Sequence, residues 1–117
     1  MTMQIIGAQG EITILKIDAL PEGFADMTPA QRVGLGSIVS HSESGNHHVL
    51  TEGTVMERTK DVPQGMRVLY ALLERPGKLV QDAAVPHGSF DLAAGFYEMR
   101  IAREFDPFAE QARQVAD

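Results

Sequence analysis

The clearest pattern in the chain is a period-two alternation of apolar and polar positions near its end. From residue 97 onward, one set of alternate positions carries Tyr97, Met99 and Ile101, while the positions between them carry the charged residues Glu98 and Arg100. Successive side chains of a strand point to opposite faces, so this pattern predicts a strand with one face turned toward a core.

Further segments have the β-branched and apolar content of strands and are separated by turn residues. Gly53 interrupts one of them and predicts a bulge or a break into two strands. Pro76 and Gly77 follow another, in the order that the two central positions of a type II turn require. The segments are residues 11–18, 37–42, 47–60, 66–74, 79–81 and 89–92.

Two stretches differ from this strand pattern. Residues 19–36 predict a long loop with one helical turn, in which Thr28 caps the turn and Pro29 takes its first position. Residues 107–116 predict a short C-terminal helix, with Asp106 as its cap. No alternation of strands and long helices occurs, as a parallel sheet would need.

The sum of these elements predicts an all-β, mainly antiparallel fold: a small barrel or sandwich of about six or seven strands followed by a short C-terminal helix. The 117 residues are the length of one ordinary domain, so we interpret residues 1–117 as a single β domain.

Composition narrows the classes of partner. The formal net charge is −6, and the lysines and arginines are scattered singly, so we expect neither nucleic acid nor a membrane surface as a partner. Cysteine is absent, and no apolar run is long enough to span a membrane. We therefore expect a soluble cytoplasmic domain. A protein partner is not identified, and a homo-oligomer is a natural way to cover exposed sheet edges.

The four histidines are the main candidates for metal binding. Three of them lie within residues 41–48, beside Glu43, and the fourth is His87. Imidazole and carboxylate together suit a divalent transition metal such as zinc, manganese, iron or nickel. His47 and His48 are adjacent, so only one of them can face a given interior, and the sequence does not choose between them. The candidate metal ligands are His48, His87, His41, Glu43 and His47.

Residues 43–50 and 86–97 carry a resemblance to a known group. They resemble small uncharacterised bacterial and prophage-associated β proteins with a Ser/Thr-Gly-His-x-His pattern and a His-x-x-His segment before Leu-Pro-x-Gly-x-Tyr. Asn46 and Ala84 stand where two of that group's histidines would be. The resemblance therefore carries over His48 and His87 alone, and no activity comes with them.

A second resemblance is to the cupins, through the His-His pair that enters a strand and the later Gly53. It implies a cupin-like jelly roll as an alternative fold and no activity, since the cupin His-x-His spacing is absent.

Two functions from different classes follow. The first is a non-enzymatic assembly or binding module, of phage or mobile-element origin as the resemblance implies. The alternative is a metal-binding β-barrel protein that uses His48 and His87. No catalytic residue and no cofactor-binding motif is identified, so the sequence leaves open whether the protein is an enzyme.

Overall fold

The protein folds into two antiparallel β-sheets. The structure, a computed structural model, describes residues 3–41, 47–81 and 89–102, which form eleven strands and no α-helix. The all-β, antiparallel prediction is confirmed. The two sheets do not close into a barrel, and a cupin-like jelly roll is not shown either. In the described part of the chain, no helix has the length and apolar content to cross a membrane.

The larger sheet, sheet A, has six strands, and every neighbouring pair in it is antiparallel. Its spatial order is β1 (Met3–Gln9), β2 (Ile12–Ile17), β11 (Gly95–Ala102), β8 (Met66–Leu73), β7 (Thr54–Arg58) and β3 (Thr28–Pro29). Strand β11 therefore lies between the hairpin β1–β2 and the hairpin β7–β8.

The smaller sheet, sheet B, has five strands, again antiparallel throughout. Its spatial order is β10 (Ser89–Leu92), β9 (Gly77–Gln81), β6 (His48–Leu50), β5 (Gly36–Ser40) and β4 (Arg32–Val33). The prediction of six or seven strands was too low, because the edge strands β1, β3 and β4 do not show an alternating apolar pattern.

The core lies between the two sheets. Tyr97, Met99 and Ile101 point into it, so the alternation along β11 places its apolar face as predicted. A smaller apolar cluster of Ile17, Val68 and Tyr70 lies on the other face of sheet A. The main core comprises Ile12, Ile14, Val39, Leu50, Val55, Leu69, Ala71, Leu73, Leu79, Leu92, Tyr97, Met99 and Ile101.

Residues 19–36 are less of a loop than the sequence indicated. Their one helical turn is a 3-10 turn at Phe24–Asp26, which comes before Thr28 rather than after it. Thr28–Pro29 instead pairs with β7, and the Ala30 N–H donates to the Val55 carbonyl at 3.0 Å. Proline lacks an N–H, and it is tolerated here because β3 is an edge strand. The predicted helix at 107–116 lies outside the described residues.

Two glycines lie where the chain passes from one sheet to the other. Gly53, with φ 94°, separates β6 in sheet B from β7 in sheet A, so the predicted break is confirmed. The predicted type II turn at Pro76-Gly77 is wrong, because Gly77 has no positive φ and begins β9 in the opposite sheet. A Cβ at Gly77 would lie 2.8 Å from the Glu52 Cβ, so close approach, not turn geometry, favours glycine there.

Candidate functional site

His48 lies between the sheets at one end of the molecule. It begins β6 and shares its side of the strand with Leu50, a core residue, so it faces sheet A. Only 5% of its surface is exposed. Of the two adjacent histidines that the sequence could not separate, His48 is therefore the one that points inward.

Gln9, at the end of β1, fixes which nitrogen of a neutral His48 ring carries the hydrogen. The distance between His48 Nδ1 and Gln9 Oε1 is 2.8 Å, and the Gln9 Nε2 group donates to the Leu79 carbonyl at 3.0 Å. Because this second bond orients the amide, Oε1 can only accept, and Nδ1 must carry the hydrogen. The other ring nitrogen, Nε2, is then an acceptor whenever the ring is neutral.

Glu11 supplies a carboxylate on the Nε2 side of the ring. Its Oε1 accepts a hydrogen bond from the Ser40 hydroxyl at 2.5 Å, while its Oε2 lies 3.8 Å from His48 Nε2. Ser40 and His48 are register partners on β5 and β6, which places both side chains on the face toward Glu11. His48 Nε2 and the Glu11 carboxylate, both acceptors, thus point toward the same space from opposite sheets.

The hairpin turn at Gly10 and Glu11 brings these groups together. Gln9 and Ile12 pair across the turn, and Gly10 has φ 58°, which is the glycine-favouring first position of a type II′ hairpin turn. A Cβ at Gly10 would lie 3.3 Å from His48 Nε2. Glycine therefore serves both the turn and the close approach of the imidazole.

A pocket of about 560 Å³ opens beside this turn. It lies between the end of the β1–β2 hairpin and the strands β6, β9 and β10, and five of its eight lining residues have polar side chains. The lining residues are Ala8, Gln9, Gly10, Glu11, His48, Gln81, Ser89 and Phe90.

Of the other predicted ligands, the structure describes His41 and His47. His41 and His47 pack against each other, with ring centroids 5.0 Å apart and planes at 75°. Burial and then the neighbouring charges of His47 and Arg67 lower the pKa of His41. Within the described residues, no group of three or more histidine, aspartate or glutamate side chains could hold a metal ion. Glu43 and His87 lie outside those residues, so their role stays a prediction.

Sequence reasoning missed Gln9 and Glu11 as site residues. Both lie some forty positions from His48 in the chain, and only the pairing of the two sheets reveals their proximity. Ser40 donates its hydroxyl hydrogen to Glu11, and Asp91 lies 3.6 Å from the Lys78 ammonium, so these two residues form no Ser-His-Asp triad in the described part of the chain.

A buried carboxylate lies on the outer face of sheet A. Glu98 is 6% exposed and accepts a hydrogen bond from Arg100 Nε at 2.5 Å. Burial, followed by the neighbouring Glu98 carboxylate, raises the pKa of the Tyr70 hydroxyl. Because Arg100 compensates the charge of Glu98, the packing of the outer face is enough to explain this buried carboxylate.

Comparisons with known proteins give one match. No curated protein and no solved structure matches the sequence. The match is to a family model described as a domain of unknown function, DUF8820, and it covers residues 8–102. That range runs from the end of β1 to the end of β11 and includes every described residue of the His48 site. The family description carries no activity, and the resemblance to prophage-associated proteins stays a prediction. The chain belongs to the DUF8820 family.

Proposed function

We propose that this protein is a non-enzymatic binding module whose pocket beside Gly10 holds a positively charged group, such as a lysine or arginine side chain of a protein partner. The observation that supports this most directly is the pair of acceptors that meet there. With Nδ1 committed to Gln9, His48 Nε2 and the Glu11 carboxylate lie 3.8 Å apart with no donor side chain of the described residues between them.

Two such acceptors repel each other unless a positive charge or a donor hydrogen lies between them. An ammonium or guanidinium group that enters the pocket can donate hydrogen bonds to both of these atoms.

The bonding of Ser40 favours binding over nucleophilic catalysis. An activated serine donates its hydroxyl hydrogen to a neutral imidazole that acts as its base. Here the Ser40 hydroxyl donates to Oε1 of Glu11 rather than to His48, whose Nε2 lies 3.8 Å from Oε2 of the same carboxylate. Ser40 thus orients the carboxylate that would receive the cation.

The test is a titration with n-butylammonium chloride, followed by NMR of the Gly10 amide, with n-butanol as the uncharged analogue. We expect a saturable shift with the ammonium ion alone. Glu11→Gln should weaken this binding by about tenfold or more, as expected for the loss of a charged hydrogen-bond acceptor. Glu22→Gln is the matched control, because Glu22 is exposed and lies outside the pocket. Equal shifts with both compounds, or no effect of Glu11→Gln, would contradict the proposal.

A divalent transition metal is a second candidate, favoured by the same two atoms. With bonds of about 2.1 Å, one ion could contact both Nε2 and Oε2 at a ligand angle of about 130°. The bond from Nδ1 to Gln9 is the outer support that metal-bound histidines usually have. A third ligand is needed, and His87 is the residue that the sequence nominates.

Elemental analysis of the purified protein separates the two candidates. If the metal proposal holds, the protein carries about one equivalent of zinc, manganese, iron or nickel per chain, as expected for a single metal site. His48→Ala and His87→Ala should each then abolish that metal, while His41→Ala should not. A metal-free protein after incubation with each ion, or retention of the metal in His87→Ala, would eliminate the ligand set of His48, Glu11 and His87.

A further inference from the structure

The pocket beside Gly10 has a further polar side chain on its sheet B side, which is Gln81. Ser40 pairs with His48, and His48 pairs with Gln81, on the neighbouring strands β5, β6 and β9. Register partners share a face of their sheet, so these three side chains form a polar row on the inner face of sheet B. Gln81 is half-buried and lines the pocket, which places its amide beside the His48 ring.

The Gln81 amide is free to bind a ligand, whereas the other amide in the pocket is not. The Gln9 amide is bonded to His48 Nδ1 and to the Leu79 carbonyl. The side-chain amide of Gln81, in contrast, forms no hydrogen bond with any described residue. A primary amide has a carbonyl oxygen that accepts hydrogen bonds and two N–H groups that donate them. Its oxygen can therefore act as a third acceptor, beside the Glu11 carboxylate and His48 Nε2.

Phe90 adds an aromatic wall to the pocket. It pairs with Leu79, a core residue, so its ring lies on the inner face of sheet B. A Cβ at Gly7 would overlap the edge of this ring, so the ring reaches from β10 to strand β1 of the other sheet. The ring is only half-buried, and it lines the pocket together with Ala8. A ligand in the pocket therefore meets apolar surface as well as acceptors.

The charge of the lining suits one cation. Among the described residues that line the pocket, Glu11 is the one carboxylate, and none is a lysine or an arginine. The pocket therefore has no lysine or arginine of its own that could occupy these acceptors. A ligand with one positive charge and several donor hydrogens would pair with the carboxylate and also satisfy His48 Nε2 and the Gln81 oxygen.

We propose that the occupant is an arginine side chain of a protein partner, and that Gln81 and Phe90 make the pocket prefer arginine to lysine. This inference rests on the proposed function, because it concerns the same cation site. A guanidinium group carries five N–H donors in one plane, and its faces are weakly hydrated and stack on aromatic rings. Its donors can reach the separated acceptors of Glu11 and Gln81 while one face lies against Phe90. A lysine ammonium is a compact, strongly hydrated charge, so it loses more hydration at the same apolar wall.

The test compares three small ligands of similar size, the Nα-acetyl amides of arginine, lysine and citrulline. Each is titrated into the protein, and the shift of the Gly10 amide is followed by NMR. We expect arginine to bind about tenfold more tightly than lysine, because it adds a hydrogen bond to Gln81 and stacking on Phe90. Citrulline has the shape of arginine without its charge, so it should not bind measurably beside the Glu11 carboxylate.

Two variants test the residues that give this preference. Gln81→Leu and Phe90→Leu should each weaken arginine binding and remove most of its advantage, with little effect on lysine. Gln64→Leu is the matched control, because Gln64 is exposed and lies outside the pocket. Circular dichroism verifies that the variants remain folded, and Gln81→Leu alone decides the outcome if Phe90→Leu does not fold.

The outcomes separate this inference from the proposed function. Equal affinities for arginine and lysine, or a preference that is undiminished in Gln81→Leu, would overturn the inference and leave the proposed cation site standing. If neither cation binds, or if citrulline binds as tightly as arginine, the proposed function itself fails, and the inference fails with it.

Discussion

The amide of Gln9 joins the two sheets at the candidate site, and its removal should measurably destabilise the fold. Gln9→Ala eliminates the bond from His48 Nδ1 and the bond to the Leu79 carbonyl, which are 2.8 and 3.0 Å long. Both partners belong to sheet B, whereas Gln9 belongs to sheet A. The substitution therefore leaves a buried donor on His48 and a carbonyl acceptor without their partners.

The expected loss follows from these two bonds. A typical hydrogen bond contributes about 0.5–1.5 kcal/mol, and a buried group left without a partner costs about 1–3 kcal/mol. Water in the adjoining pocket can form hydrogen bonds with some of these unpaired groups. We therefore expect a net loss of about 2 kcal/mol in the free energy of unfolding. With a urea m-value of about 1–3 kcal/mol/M, the midpoint should fall by about 1 M.

Urea unfolding measures this loss, and Gln4→Ala is the matched control. Gln4 lies on the same strand but is exposed, so its replacement should change stability by less than about 0.5 kcal/mol. Nitrogen NMR of the His48 ring gives a second measurement, because the unmodified protein should show hydrogen on Nδ1. Equal losses for Gln9→Ala and Gln4→Ala, or a neutral ring with its hydrogen on Nε2, would refute the reasoning.

Three further predictions test the packing and the charges. Gly7→Val would push a side chain into the Phe90 ring and should cost about 1–3 kcal/mol, measured by thermal unfolding, and Phe90→Leu should recover part of this loss. Leu69→Ala opens a cavity in the core and should lower the free energy of unfolding by about 2–5 kcal/mol in urea. The pKa of His41 is lowered in the folded protein, so the unfolded chain binds a proton at this residue more readily. The stability that His41 contributes should therefore be lost as the pH falls below 6.5, measured as a decrease in the free energy of unfolding. An NMR titration should show that His47→Gln raises the pKa of His41.

The strands that the sequence predicted best are those in which one face is buried. Along β11 the apolar positions alternate with Glu98 and Arg100, and the structure buries that apolar set in the core. The break at Gly53 was equally visible, because glycine tolerates a positive φ that other residues avoid.

The sequence was less informative where tertiary pairing decides the local structure. Thr28 and Pro29 have the residue types of a helix start, but pairing with β7 makes them a strand. Pro76 and Gly77 have the order of a type II turn, but the chain there passes to the other sheet, and crowding by Glu52 explains the glycine. Local preference is weak compared with the pairing energy of a sheet.

For the candidate site, the sequence identified one residue and missed its partners. It indicates His48 as a candidate ligand, but it does not decide whether His47 or His48 faces inward. Gln9 and Glu11 lie on a hairpin nearly forty residues before β6, and no short-range pattern connects them to a histidine. Contacts between sheets depend on the topology, which these short patterns do not encode.

The position of β11 has a consequence for how the protein is made. This strand is synthesised after the other ten, yet it is the only described strand that joins the hairpin β1–β2 to the hairpin β7–β8. Until it leaves the ribosome, β2 and β8 each lack a neighbour on one side, and sheet A cannot form. We therefore expect folding to be completed only after synthesis of β11, and nascent chains that lack it to be aggregation-prone through these two open strands.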